Sequence, residues 1–161
     1  GDTLNGFVGT NLSANPFFFD IDQYSQIGVT FAWQFKENMS INFVYNHFLY
    51  TARYGASVFG VPMVQAGDTA KAQSWMAALL FEDLIVDNSM MGLAVGQVPS
   101  VYANNSAWGT ESAPLAFEAW YNYPLSDRIN IQPAFFFITN HDGYANGGTD
   151  WGSTFRIYFN F

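Results

Sequence analysis

The chain ends on Trp151-Gly-Ser-Thr-Phe-Arg-Ile-Tyr-Phe-Asn-Phe161, a stretch in which apolar and polar side chains alternate. Side chains leave a strand on opposite faces with period two. Trp151, Phe155, Ile157, Phe159 and Phe161 therefore share one face, and Gly152, Thr154, Arg156, Tyr158 and Asn160 the other. A strand of about ten residues, greasy on one side and wet on the other, has the length and pattern of a strand that crosses a bilayer. In a soluble sandwich the greasy face would point into a core. The segments upstream favour lipid.

The same alternation recurs along the chain and predicts eight strands: Leu4–Thr10 (the weakest), Gln26–Phe35, Ser40–Tyr50, Ser74–Phe81, Met90–Val98, Leu115–Tyr123, Ile129–Thr139 and Trp151–Phe161. Ile27, Val29, Phe31, Trp33 and Phe35 oppose Gln26, Gly28, Thr30, Ala32 and Gln34. Leu115, Phe117, Ala119, Tyr121 and Tyr123 oppose Ala116, Glu118, Trp120 and Asn122. No stripe of 3.6-residue period competes. Pro133 interrupts the seventh candidate, where the missing N–H predicts a bulge or a lost ladder bond.

The connectors alternate in length. Short turns follow the second strand (Lys36-Glu37-Asn38) and the sixth (Pro124–Arg128), and Asp83–Ser89 joins the fourth to the fifth. Long loops rich in Gly, Asn and Ala fill Asn11–Ser25, Thr51–Gln73, Pro99–Pro114 and Asn140–Asp150. Short turns at one end and long loops at the other characterise bacterial outer-membrane barrels. The longest loop has an apolar middle, Val58-Phe-Gly-Val-Pro-Met-Val64, suited to folding inward as a constriction or latching onto a neighbouring subunit.

Composition agrees. Half of the 161 residues are hydrophobic and 19% aromatic, but only 11% are charged, against about 25% in a soluble domain. Mean hydropathy is nonetheless near zero, and no apolar run reaches the ~18 residues of a spanning helix. With no cysteine, disulfide frameworks and thiolate metal sites are excluded. The net charge of −8 argues against a nucleic-acid partner. Lys36 and Arg128 sit in short turns, Arg53 and Lys71 flank the longest loop, and Arg156 and Glu118 project from polar faces. A cation on the lipid face near the midplane would cost about 2–4 kcal/mol. A soluble lipocalin-like barrel would need the reverse arrangement and more exterior charge.

Leu115-Ala-Phe-Glu-Ala-Trp-Tyr-Asn-Tyr-Pro-Leu-Ser-Asp-Arg-Ile-Asn-Ile-Gln-Pro-Ala-Phe-Phe-Phe-Ile-Thr-Asn140, followed by the terminal strand, resembles the C-terminal end of cyanobacterial porins of the carbohydrate-selective (iron-uptake) family. Phe81–Pro99, ending in Gly-Gln-Val-Pro, is similar to another strand–turn–strand unit of that family. The resemblance covers the second half of the chain in sequence and the first half by pattern. It implies a passive, non-enzymatic, trimeric channel in a bacterial outer membrane, in contact with lipid and without a cofactor, admitting small polar solutes or ions. It also implies a sixteen-stranded barrel, of which residues 1–161 would be the C-terminal half. The alternative is a complete eight-stranded barrel that binds a ligand or protein through its loops. Eight strands leave an interior that side chains fill, whereas sixteen leave an aqueous channel.

On this reading the pore-lining candidates are Glu118, Arg156, Thr30, Gln34, Asn42, Asn46, Asn122, Asn130, Gln132, Thr154 and Tyr158. Glu118 and Arg156 could set a transverse field across a channel, or form an ion pair that plugs a small barrel. Trp33, Tyr45, Tyr121, Tyr123, Trp151 and Phe161 are candidates for the aromatic girdles at the membrane interfaces. Trp120 and Phe136 point inward, as packing or as a track for sugar rings. Catalysis at an outer rim would need His47 or His141 beside a serine. A loose divalent-ion site could involve Asp20 and Asp22, or Asp142 and Asp150.

Overall fold

The computed structural model describes residues 10–141 and 143–160. Of the weakest predicted strand, Leu4–Thr10, only Thr10 lies among them, and it caps a helix. Asp142 and Phe161 also fall outside the described residues. A single turn of helix, α1 (Asn11–Ala14), leads into β1 (Ile21–Lys36) and β2 (Met39–Ala52). A small hairpin, β3 (Ala56–Val58) and β4 (Val61–Val64), precedes β5 (Thr69–Glu82), β6 (Met90–Asn104), β7 (Leu115–Ser126), β8 (Ile129–Thr139) and β9 (Thr149–Phe159). The large strands form one antiparallel seven-stranded sheet in the order β1-β2-β5-β6-β7-β8-β9. Every neighbour is the next large strand in sequence, the up-and-down pattern of a membrane barrel wall. β1 pairs only with β2 and β9 only with β8, so both edges are open among the described residues. No helix there is long and apolar enough to cross a membrane, which says nothing against strands that cross one.

The strands outrun the alternating segments of the sequence. β1 begins at Ile21 rather than Gln26, and β6 continues to Asn104, past Val98. Their extra residues pair with β2 and β5, whose own ends reach Ala52 and Thr69. Ladder hydrogen bonds extend the sheet where the alternation fades. The loop predicted over Thr51–Gln73 thus shrinks to residues 53–68 and contains the β3–β4 hairpin.

The register tilts the sheet. The line of partners from Met39, beside the β1–β2 turn, runs through Phe81 and Met91 to Tyr121, well short of the turn at Asp127-Arg128. Such stagger is what closes a sheet into a barrel with inclined strands. Pro133 aligns with Phe155 on β9, but the pairing to β7 breaks between Trp120↔Ala134 and Tyr123↔Ile131 without a change of register. The proline deletes a ladder bond there and makes no bulge.

Tight turns at Glu37-Asn38 and Asp127-Arg128 and the Asp83–Ser89 connection occupy one end of the sheet. The segments 53–68, 105–114 and 140–148 occupy the other. These are the turn end and the loop end below.

Candidate functional site

Partners in all six strand pairs share parity except at shifts near the ends of β1, at the loop end of β6 and at Ser126, so parity is conserved over most of the sheet. Odd-numbered residues share one face, as in Val29↔Tyr45↔Trp75↔Gln97 and Phe117↔Phe137↔Trp151. Even-numbered residues share the other. Phe31 (50% exposed), Phe135 (47%) and Phe155 (63%) stand out from the odd face instead of filling a dry centre. Apart from Lys71 at the loop end, that face carries no charged side chain within the described strands. Apolar surface of this extent on β1, β7, β8 and β9 belongs in a non-aqueous phase.

All the predicted pore-lining residues occupy the even face. Thr30, Gln34, Asn42 and Asn46 lie on β1 and β2, Glu118 and Asn122 on β7, Asn130 and Gln132 on β8, and Thr154, Arg156 and Tyr158 on β9. Polar ladders run across the strands. Tyr24 Oη donates to Gln26 Oε1 (2.9 Å), Gln26 Nε2 to Asn46 Oδ1 (3.1 Å), and Asn46 Nδ2 to Ser74 Oγ (3.3 Å). Tyr158 Oη donates to Gln132 Oε1 at 2.6 Å. Tyr24 and Ser74 were missed in the sequence, because an isolated Tyr or Ser on a strand carries no signal until its cross-strand neighbour is known.

A cavity of about 560 Å3 opens on this face, with Asn46, Ser74, Glu118, Phe136, Thr154 and Arg156 on its wall. Glu118 and Arg156 are exposed and make no ion pair with each other, so the buried plug of a small barrel is not formed. Trp120 and Phe136 also face this way, each over a glycine, Gly92 and Gly152 respectively. Glycine rescue by a neighbouring ring gives both aromatics a packing role.

The even face is not wet along its whole height. At the loop end Phe48, Tyr50, Ala52, Ala70, Ala72 and Val101 form a dry cluster beneath Leu12, Phe17 and Val64. Register shifts in β6 between Trp75/Gln97 and Gln73/Ser100 turn Val101 inward and Tyr102 outward. Thr10 N donates to the Pro99 carbonyl at 3.1 Å, and Tyr50 Oη donates to Ser13 O at 2.9 Å. The α1 segment and the root of the hairpin therefore fold over the even face. Of the two roles open to the 53–68 loop, inward folding describes Val64, whereas Phe59 at the tip is fully exposed.

Glu111, in the loop after β6, clamps this cover. Its carboxylate accepts from Thr10 Oγ1 (2.6 Å) and from the Val101 N–H (2.8 Å). Burial pushes its carboxyl above the ordinary value, and the bond from Thr10 partly opposes that rise.

Of the aromatics expected at the membrane interfaces, the five among the described residues lie on the odd face at unequal heights. Trp33 and the Tyr121–Tyr123 pair, with ring centroids 6.4 Å apart, lie toward the turn end, and Trp151 lies toward the loop end. Tyr45 sits in the middle of β2 and donates to Gln73 Oε1 at 3.5 Å. His47 Nε2 lies 2.8 Å from Tyr102 Oη and His141 Nδ1 lies 3.0 Å from Asp150 Oδ2, so neither contact involves a serine. Asp22 pairs with Arg53 at 3.7 Å, and no cluster of metal-ligating side chains occurs among the described residues.

Comparison with known proteins agrees with this geometry. An uncharacterized protein of Nostoc sp. (strain PCC 7120) is 25% identical over 154 residues, covering 96% of this chain and 24% of that protein. An uncharacterized protein of Synechocystis sp. (strain PCC 6803) is 29% identical over 87 residues, covering 53% of this chain and 16% of that protein. The chain thus spans about a quarter or less of the curated relatives it matches. No solved structure matches it significantly. The profile of the carbohydrate-selective porin, OprB family, matches residues 46–161, from the middle of β2 through the last strand. With relatives in cyanobacteria and a sheet built for lipid on one face, the chain belongs to the OprB family of outer-membrane carbohydrate-selective porins.

Proposed function

We propose that residues 1–161 form part of the wall of an outer-membrane diffusion channel, without enzymatic activity, through which small polar solutes, carbohydrates among them, and inorganic ions pass. The observation that carries this reading is the segregation of the sheet. Glu118, Arg156 and the amide and hydroxyl ladders share one face, and the other is free of charge between its ends and apolar over its flanking strands.

The open edges of β1 and β9 favour a barrel completed by further strands. An unpaired edge in hydrocarbon leaves N–H and C=O groups with no partner, at several kcal/mol each. The relatives' greater length agrees with a larger barrel, for which the resemblance implies sixteen strands and a trimer. A closed eight-stranded binding protein would instead need its first and last strands to pair.

In the larger barrel the Glu118–Arg156 surface lies on the lumen and imposes a field on permeating ions. The α1 segment and the hairpin root narrow the loop-end mouth. Conductance of the full-length protein in a planar bilayer tests the reading. Stepwise ohmic currents are expected, and current no greater than that of the bare membrane overturns it.

A further inference from the structure

The odd face is not uniformly suited to lipid. On β1 it presents Ile27, Val29 and Phe31, and on β8 and β9 it presents Phe135, Phe137 and Phe155. Between these flanks, on β2, β5 and β6, it presents Tyr45, His47, Gln73, Trp75, Gln97 and Tyr102. These side chains bond laterally. Trp75 Nε1 donates to Gln97 Oε1 at 3.2 Å, and Gln97 Nε2 donates to Ser100 Oγ at 2.9 Å. His47 Nε2 meets Tyr102 Oη at 2.8 Å, and Tyr45 Oη donates to Gln73 Oε1 at 3.5 Å.

Depth makes the island unusual. Tyr45 and Trp75 are paired near the middle of β2 and β5, and Val29 is Tyr45's partner on β1. The island therefore starts within the apolar band of about 25 Å that flanking strands present to hydrocarbon. Gln97 is only 7% exposed, tucked beneath Trp75, but the two amide hydrogens of Gln73 find no acceptor among the described residues. Acyl chains offer none, and an amide left without a partner in hydrocarbon is costly. Side chains of this kind act as adhesive between membrane proteins.

A second observation falls on the same strands. The β3–β4 hairpin rises between β2 and β5, and its tip, Val58-Phe-Gly-Val61, leaves the Phe59 ring with essentially no contact in the chain. The tip thus adds an apolar, uncovered side chain at the loop end of the two strands that carry most of the island.

We infer that the odd face of β2, β5 and β6 is a contact surface between copies of this chain. The island carries donors and acceptors but no carboxylate or guanidinium, and its one ammonium, Lys71, lies at the rim, so it needs a partner with matching polar groups at the same depth. A second copy in the same orientation meets that requirement by construction, and closed symmetry satisfies every such surface at once. The inference rests on the outer-membrane barrel reading and deepens it by assigning the subunit contact to three strands.

The test uses the full-length protein, freed of any cysteine outside residues 1–161, in native outer membranes. Gln73→Cys and Phe155→Cys are compared after treatment with bismaleimides of short and long span. Gln73→Cys should yield adducts at integer multiples of the chain mass, at least tenfold more than Phe155→Cys. Equal yields overturn the inference, as does an adduct to a different protein or ready labelling of Gln73→Cys by a lipid-soluble thiol reagent. His47→Leu combined with Gln97→Leu gives a second readout. The variant should keep its heat-modifiable mobility and its conductance per chain while its oligomer dissociates at lower detergent concentration. An oligomer of undiminished stability contradicts the inference and leaves the channel intact, whereas loss of current with intact cross-linking strikes the channel reading alone.

Discussion

The indole of Trp120 lies across Gly92 on the neighbouring strand, so near that a methyl group added to the glycine would overlap the ring. Phe136 covers Gly152 in the same way, two strands further along. Both rings fill the even face where their partner has no side chain. Gly92→Val should displace Trp120 and cost about 1–3 kcal/mol, the usual range for overpacking. The thermal transition of the folded, heat-modifiable form measures it, and an unchanged transition would show that Trp120 does not pack there.

Glu118 and Arg156 should set ion preference. Glu118→Gln removes a negative charge from the even face and should shift the reversal potential in a salt gradient toward anions. Arg156→Gln should shift it toward cations. Neither variant removes a ladder hydrogen bond, so expression and folding should be unaffected. Identical reversal potentials in both variants and the parent would place the two groups outside the ion path.

Lipid-face substitutions should be costly where lumen-face substitutions are not. Phe155→Arg places a cation on the odd face of β9 and should destabilise insertion by about 2–4 kcal/mol if near the midplane, less toward the interface. Its neighbour Thr154→Arg, on the even face, should be tolerated. Urea titrations of folding into lipid vesicles compare the two, and equal destabilisation would contradict the assignment of faces.

The cover over the loop end should respond to pH through Glu111. Its carboxyl is raised by burial, so the folded state binds the proton more tightly than the unfolded chain does. The stabilisation is complete below the ordinary carboxylate pKa and is lost as pH rises through the raised value. Hydrogen-exchange protection of the Ser13 and Ala14 amides, corrected for intrinsic rates, should therefore fall across that window. Glu111→Gln keeps an acceptor for Thr10 and removes the titration, so its protection should be flat. A parent protein with flat protection would rule out the clamp.

Phe17 is the most deeply buried ring of the cover. Phe17→Ala should cost the α1 segment about 3–5 kcal/mol of packing, enough to release it and raise single-channel conductance. An unchanged conductance would mean that α1 does not narrow the path.

Much of this was legible in the sequence, for a physical reason. A strand between water and lipid must alternate, and Gln26–Phe35 of β1, Leu115–Tyr123 of β7, Ile129–Gln132 of β8 and Thr154–Phe159 of β9 do so. The assignment of Thr30, Asn42, Glu118 and Arg156 to one face and Phe31, Phe135 and Phe155 to the other needed only parity. Signals failed where both faces are apolar. Phe48, Leu49 and Tyr50 are all apolar in a row, because Phe48 and Tyr50 meet the cover and Leu49 faces outward. Alternation was silent there, so the ends of β2, β5 and β6 and the core beneath α1 went unseen. The bulge in β6 that turns Tyr102 toward His47 depends on pairing with β5, which no local pattern encodes. Tyr45 was placed at an interface as an isolated aromatic, and only its neighbours Gln73 and Trp75 put it within a polar island.

The central claim is that even-numbered side chains meet water and odd-numbered ones meet hydrocarbon or protein. Residues 1–161 contain no cysteine, so single cysteines at Ser153, Thr154, Phe155, Arg156, Ile157 and Tyr158 can be read one by one with a charged, membrane-impermeant thiol reagent in intact outer membranes. The account predicts labelling at 154, 156 and 158 and protection at 153, 155 and 157. Uniform labelling, or the opposite alternation, would contradict it.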